Sequence, residues 1–172
     1  MDASLAAVLV GIAGVGGTLA SGYLAQRDAH EVRRWEGERQ HRDNLRDCYI
    51  GVNGRSRACR YALADYVQAM ATDALTDDIR QRAAAAVNAH RVQFDQAQML
   101  VPDSVLEDTR VVNEKISILY GVLRRLDGGV PQPDDTIEQA RSLLNDLWPP
   151  LKAMRQAMRL DLGVSQTHPT GR

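Results

Sequence analysis

Few residues in this chain have the types and spacing that metal or acid–base chemistry requires. Glu38 and His41 stand three residues apart, the Glu-x-x-His spacing with which some helical bundles bind two iron ions. Such a site needs a second pair of this kind and two more inward carboxylates, and the sequence has no second Glu-x-x-His. We therefore expect Glu38 and His41 to lie on a solvated, charged helix face, and we expect no metal and no other cofactor.

The cysteines and the inward histidine are the remaining reactive side chains. Cys48 and Cys59 fall on one predicted helix, where eleven residues correspond to a rise of about 16 Å, far beyond disulfide reach. We expect free thiols, with Cys59 a small buried hydrophobe; an intermolecular bridge or a reactive thiol is the alternative. His90 falls on an apolar helix face, which predicts a hydrogen-bonded core histidine.

Other catalytic signatures are missing from the sequence. It contains no glycine-rich phosphate loop, no zinc-ligand spacing and no Ser/His/Asp order. The formal net charge of −1 gives no global field that favours nucleic acid. The sequence therefore favours a protein that is not an enzyme and does not bind nucleic acid.

The element that would position everything else is an uncharged segment near the N-terminus. Residues Ala3 to Gln26 carry no charged side chain, and a helix of this length spans about 36 Å, more than the hydrocarbon core of a bilayer. This predicts a single transmembrane helix. A cleaved signal peptide and a buried soluble helix are the alternatives, and the start Met1-Asp2 lacks the basic region of a signal peptide.

Basic residues follow this segment, and their position predicts its orientation. Lysine and arginine accumulate on the cytoplasmic side of membrane helices. We therefore expect a bacterial cell-membrane protein with its N-terminus outside and its C-terminal domain in the cytoplasm. The juxtamembrane arginines, which are also candidates for contacts with membrane lipid, are Arg27, Arg33, Arg34 and Arg39.

Small residues recur within the segment at spacings of three and four, which places them on one helical stripe. Such stripes allow close helix packing in a bilayer, so they predict self-association through the transmembrane helix. The accumulation of Gly and Ala through base composition alone is the alternative. The stripe consists of Ala7, Gly11, Gly14, Thr18, Ser21 and Ala25, with Ser4 preceding it.

The rest of the chain shows helical periodicity throughout. Four apolar seams of similar length predict an all-α protein in which the transmembrane helix continues through a polar stalk into an antiparallel four-helix bundle. A three-helix bundle with a broken fourth segment is the alternative. The predicted regions are 3–26 for the transmembrane helix, 27–44 for the stalk, 45–163 for the bundle and 164–172 for a disordered tail.

Local signals place the ends of the predicted helices. The first is expected to end near Ala71 and the second to run from Asp77 to Met99. A capping box at Ser104–Glu107 opens the third, which Gly128 and Gly129 end. The fourth begins near Asp135, and Pro149 and Pro150 are expected to kink or split it.

Three short segments carry a resemblance to a known group of proteins. They are Arg42-x3-Arg46-x2-Tyr49, Leu100-Val101-Pro102-Asp103-Ser104-Val105 and Ala157-Met158-Arg159-Leu160-Asp161-Leu162-Gly163. With this layout, the chain resembles uncharacterised actinobacterial single-pass membrane proteins with a cytoplasmic helical domain. The resemblance implies the same topology and no activity.

These patterns favour one function over another. We expect a non-enzymatic, membrane-tethered interaction or scaffold module whose bundle binds an unidentified cytoplasmic protein. The alternative is a holin-like or toxin-like protein that assembles through its glycine-rich segment and permeabilises the membrane. The large charged domain after the segment favours the first hypothesis.

Overall fold

The computed structural model describes the backbone of residues 3–164 and the side chains of residues 34–164. The described backbone is helical, with no strand in that range, which confirms the predicted all-α class. Five helices follow one another along the chain: α1 (Ala3–Ala71), α2 (Asp77–Gln98), α3 (Asp103–Asp127), α4 (Ile137–Asn145) and α5 (Trp148–Asp161). The tail predicted to be disordered, apart from Val164, lies outside the described residues.

The chain divides into two compact units, Met1–Asp43 and Asn44–Arg172. In the first unit, backbone helix covers the predicted membrane segment, but the side chains of that segment lie outside the described residues. Among residues whose side chains are described, no helix is long and apolar enough to cross a membrane. Residues 34–43 are all exposed, and Trp35 has 72% of its surface accessible.

The second unit is a bundle in which α1 runs antiparallel to α2 and to α5. Ser56 of α1 contacts His90 of α2, Tyr66 of α1 contacts Asp127 at the end of α3, and Tyr49 of α1 contacts Asp161 at the end of α5. Helix α3 also packs against α2, α4 and α5. The bundle therefore has four helical columns. They are the part of α1 after residue 43, helix α2, helix α3, and α4 followed by α5.

The seams predicted from periodicity form the core of this bundle. In α1 the seam residues from Leu45 to Tyr66 are buried, and Met70 is half-buried. A residue at every third or fourth position returns to the same side of a helix, so one apolar stripe per helix meets the others in the middle. The predicted core residues that are buried include Cys59, Leu63, Ala83, Val87, Phe94, Val112, Ile116, Leu119, Leu123, Ala140, Leu147, Leu151 and Met154.

The predicted break at Pro149 and Pro150 is a complete separation into α4 and α5. A proline ring clashes with the carbonyl four residues earlier and offers no N–H. For Pro149 that carbonyl belongs to Asn145, the last residue of α4. Both prolines then lie in the first turn of α5, where their missing N–H groups would have no helical partner.

Two predicted helix starts are wrong in detail. The capping box at Ser104 does not form, because α3 begins one residue earlier with Pro102 as its N-cap and no side-chain cap bond. Helix α4 begins after Thr136 rather than near Asp135, and the Thr136 hydroxyl accepts the Gln139 N–H at 3.0 Å. The cap positions are Pro102, two residues before Ser104, and Thr136, one residue after Asp135.

Asp135 is instead half of an ion pair that closes the loop between α3 and α4. Its carboxylate accepts two hydrogen bonds from Arg125, including one of 2.8 Å from Nη2, and one from the Gln132 amide at 2.9 Å. The Arg125 guanidinium lowers the pKa of Asp135 to about 2. The carboxylate is therefore charged in the folded protein, and it ties the loop back to the end of α3.

A second carboxylate joins three helices at one end of the bundle. Asp127 accepts the Tyr66 hydroxyl at 2.7 Å, and its two oxygens receive Nε and Nη2 of Arg80, each within about 3.0 Å. The Arg80 hydrogen bonds hold the pKa of Asp127 below its ordinary value. One side chain thus fixes α1, α2 and α3 relative to one another.

We expect Asp127→Ala to destabilise the bundle by about 1–3 kcal/mol, because the Tyr66 hydroxyl and the Arg80 guanidinium both lose a charged acceptor. Since folding lowers the pKa of Asp127, its contribution is present above the ordinary carboxyl pKa of 3.8 and is lost as the pH falls through the lowered value. Urea unfolding of the variant at neutral pH measures the loss. Glu107→Ala, which removes an exposed pair with Arg110, is the control and should change the free energy of unfolding by less than about 1 kcal/mol. Equal effects of the two substitutions would contradict this role for Asp127.

Gly54 is a position where glycine lowers the stability of helix α1. It lies within α1 on the exposed side, and a Cβ added there meets no atom within 4 Å. We expect Gly54→Ala to stabilise the bundle by about 1 kcal/mol, because alanine loses less backbone entropy in a helix. Thermal and urea unfolding measure the gain.

Gly51 provides the matched comparison on the same helix. A Cβ at Gly51 would come within 2.8 Å of the Gln93 side chain, which is hydrogen-bonded to Gln96 at 3.1 Å. Gly51→Ala should therefore stabilise less than Gly54→Ala, or not at all. A larger gain at Gly51 would show that α2 does not constrain α1 at this point.

Candidate functional site

The most distinctive surface of the bundle centres on an arginine held between two aromatic rings. The Arg60 guanidinium carbon of α1 lies 5.5 Å from the ring centroid of Trp148 in α5 and 6.0 Å from that of Tyr61. These distances are within the range of cation–π attraction. Arg60 therefore bridges α1 and α5 on their outer side.

Both aromatic rings remain half open to solvent. Trp148 has 52% and Tyr61 54% of its surface accessible, although large aromatics usually lose most of their surface in a packed bundle. Trp148 is held outside the core because it is the first residue of α5, immediately before the two prolines that set the start of that helix. The nearby Arg57 guanidinium lowers the pKa of the Tyr61 phenol.

Further basic side chains continue this surface along α5. Lys152 and Arg155 follow Trp148 by four and seven residues, so they lie on the same side of the helix. We call this surface the α1–α5 face. Its members are Arg57, Arg60, Tyr61, Trp148, Lys152 and Arg155.

Polar atoms near this face are buried without a protein partner. Nε of Arg60, Nε of Arg155 and Oδ1 of Asn53 have no hydrogen bond among the described residues. A buried unpaired donor typically costs about 1–3 kcal/mol. Two of the three atoms belong to guanidinium groups of this face, and neither is accessible to solvent.

The side chains of the α1–α5 face are of types that bind ligands. Its charged side chains are all basic and its other members are aromatic. Recognition of anionic and apolar groups is the chemistry that such side chains support.

The thiols lie inside the bundle. Cys48 and Cys59 are buried and unpaired. Burial raises the pKa of both, to about 12 for Cys59, so both are protonated at neutral pH and lack the thiolate that nucleophilic chemistry requires.

The exposed pair Glu38 and His41 lies on the charged helix face that the sequence predicted. In the part of the chain with described side chains, no three His, Cys, Asp or Glu residues are grouped closely enough to hold a metal ion.

His90 is in the core, as its periodicity predicted, and it is fully buried. The Ser56 hydroxyl donates to the Val52 carbonyl at 2.8 Å, so Ser56 Oγ accepts the hydrogen on Nδ1 of His90 at 3.2 Å. Burial lowers the pKa of His90 to about 4, and the nearby Asn113 side chain opposes this shift without a well-aligned hydrogen bond to Nε2. The imidazole is therefore neutral at physiological pH.

The membrane-related residues predicted from sequence are only partly covered by the structure. The side chains of the stripe, Ala7, Gly11, Gly14, Thr18, Ser21 and Ala25, and those of Arg27 and Arg33 lie outside the described residues. Arg34 and Arg39 are described, and both are exposed.

The α1–α5 face was not predicted from the sequence, and neither Trp148 nor Arg60 was a candidate residue. A local signal was present, because Arg55, Arg57, Arg60 and Tyr61 stand in a stretch without acidic residues. Only packing against α5 brings Trp148 to Arg60.

Comparisons with known proteins add no relative. No protein-family model matches the chain, and no curated protein and no solved structure matches it at a significant level.

We expect the stability of the bundle to depend on pH through His90. Because folding lowers the His90 pKa from its ordinary 6.5 to about 4, the unfolded chain takes up the proton first as the pH falls. Stability is therefore complete above 6.5 and is lost as the pH falls toward 4. Between about pH 7 and pH 5 the loss should be on the order of 2 kcal/mol.

Urea unfolding at these two pH values, above the range in which Asp135 titrates, measures this loss. His90→Gln keeps a polar side chain without a titratable ring, so it should remove most of the pH dependence in this interval. His41→Gln, at an exposed histidine, is the matched control and should keep it. Equal pH dependence in both variants would show that His90 is not the group responsible.

Proposed function

We propose that this chain is a non-enzymatic interaction module, tethered to a bacterial membrane by residues 3–26 and presenting its helical bundle in the cytoplasm. The observation that carries the tether is the uncharged segment itself, 24 residues followed at once by arginines. The same topology is implied by the resemblance to single-pass membrane proteins with a cytoplasmic helical domain.

The bundle supports the interaction part of this proposal. Its potentially reactive groups, two thiols and one imidazole, are buried, and burial shifts the pKa of each toward its uncharged form. Its exposed surface instead offers Trp148, Tyr61 and Arg60, the three residue types most enriched among energetically dominant interface residues. A protein with this distribution recognises partners more readily than it catalyses reactions.

The polar residues 27–44 would then act as a stalk between membrane and bundle. The small-residue stripe would bring two copies together in the bilayer, where close backbone packing drives helix association. Lipid headgroups would meet the arginines that follow the segment, at about 1 kcal/mol for each basic residue near the surface.

Membrane fractionation tests the tether. We expect the full chain to remain in the membrane pellet after alkaline carbonate washing, with a C-terminal tag protected from protease in intact spheroplasts. Val8→Arg together with Ile12→Arg should move the protein to the soluble fraction, because an arginine near the centre of a membrane helix costs about 2.5–3.5 kcal/mol on the insertion scale and the second arginine, nearer the end, adds to this cost.

A matched substitution and one further assay make this test specific. Val130→Arg, at an exposed loop residue, should leave the fractionation unchanged. Recovery of the unaltered chain in the soluble fraction would refute the tether. Leakage of cells that express the protein, relieved by the Val8 and Ile12 substitutions, would favour the membrane-permeabilising alternative.

A further inference from the structure

We propose that the α1–α5 face binds an acidic segment of a partner protein. This inference rests on the proposed function, because it names the chemistry of the partner that the interaction module would recognise. It is carried by the charge distribution, the exposed aromatic rings and the basic side chains of the face that form no salt bridge.

The stretches of α1 and α5 that form the face contain no acidic residue. In α1, residues 48–64 contain three arginines and no Asp or Glu; in α5, residues 148–160 contain one lysine, two arginines and no Asp or Glu. The other two long helices are balanced, with three acids and three arginines in α2 and five acids and four basic residues in α3. The α1–α5 face therefore carries basic side chains that no acidic residue in the same stretches offsets.

Contacts between the helices bring these charges together. Trp148 meets Arg60, and Tyr49 meets Asp161, so α1 and α5 run antiparallel side by side. Lys152, one turn beyond Trp148, is therefore near the level of Arg57, and Arg155 follows one turn later. Four basic side chains thus share an area about two helical turns long, roughly 11 Å.

The cations of this area are not neutralised by their own protein. Within residues 34–164, none of Arg57, Arg60, Lys152 and Arg155 forms a salt bridge. Elsewhere on the bundle the exposed Arg82 and Arg110 each pair with an acid one turn away. The face therefore carries positive charge that an anionic partner would neutralise.

The size of the basic area favours a protein segment over a nucleic acid. Nε of Arg60 and of Arg155 is buried, so the acceptors of a partner would meet the terminal nitrogens of these guanidinium groups. A guanidinium presents a planar fork that matches a carboxylate in a bidentate pair. A basic area of about 11 Å is short for the phosphate backbone of a nucleic acid.

The aromatic rings complete the complementarity. Trp148 and Tyr61 flank Arg60 and are half-exposed, so a partner segment with apolar residues between its carboxylates would cover them. Burial of large aromatic surface supplies affinity that exposed charge alone does not.

Binding to purified full-length protein in a non-ionic detergent tests the chemistry. The probe is a fluorescein-labelled peptide of alternating Glu and Leu, measured by fluorescence anisotropy, with an alternating Lys and Leu peptide as control. We expect binding of the acidic probe alone, weakened by salt and at least tenfold by Arg57→Glu with Lys152→Glu.

Matched variants show whether a loss of peptide binding is specific to the α1–α5 face. Arg82→Glu with Arg110→Glu makes the same change in charge on α2 and α3 and should leave binding within twofold. If either pair of glutamate substitutions alters the unfolding midpoint, both pairs are made with glutamine instead. These variants are Arg57→Gln with Lys152→Gln, and Arg82→Gln with Arg110→Gln. Absence of binding, or equal losses from both pairs, would overturn the proposal. So would binding of phosphatidylglycerol vesicles or single-stranded DNA in preference to the acidic peptide.

Photo-crosslinking in cells separates this inference from the proposed function. A photoreactive residue replaces Tyr61 on the face, or Val92 of α2 or Ile118 of α3, two control sites of similar exposure. We expect adducts at Tyr61 whose crosslinked peptide, sequenced by mass spectrometry, is rich in Asp and Glu. Adducts only at the control sites, or a non-acidic peptide at Tyr61, would leave the interaction module in place and refute the acidic partner. No protein adduct at any site would count against both.

Discussion

The bundle depends on the burial of one apolar stripe from each helical column. No helix of this chain can remove its own stripe from water, and the gain from burying apolar surface is realised only when four columns meet. The stripe of α1 after residue 43 is the longest, and residues such as Val52, Cys59 and Leu63 are almost completely covered. Every other feature, including the position of the buried His90, follows from how these stripes pack.

Apolar burial has little directionality, so polar contacts define how the columns align. Carboxylates near the ends of α3 and α5 perform this role. Asp127 joins Tyr66 and Arg80 from two other helices, and Asp161 accepts the Tyr49 hydroxyl at 2.7 Å. A slip of one helical turn would separate each acceptor from its donors, so these bonds favour one register over its neighbours.

The same packing determines what the surface offers. It places thiols and imidazole inside, where burial shifts the pKa of each toward the uncharged form, and it leaves arginine, lysine and aromatic side chains together outside α1 and α5. This arrangement supports our proposal of a recognition module. In that proposal the uncharged N-terminal segment anchors the protein in the membrane, and the α1–α5 face selects the partner.

The sequence by itself determined the helices, the buried seams and the break at Pro149 and Pro150, because periodicity and proline sterics act within one segment. Tertiary structure decided the cap at Thr136, the ion pair of Arg125 with Asp135, and the meeting of Arg60 with Trp148. These features depend on which residues of different segments come level with one another. That register results from the sum of many packing contacts, and no local pattern in the sequence specifies it.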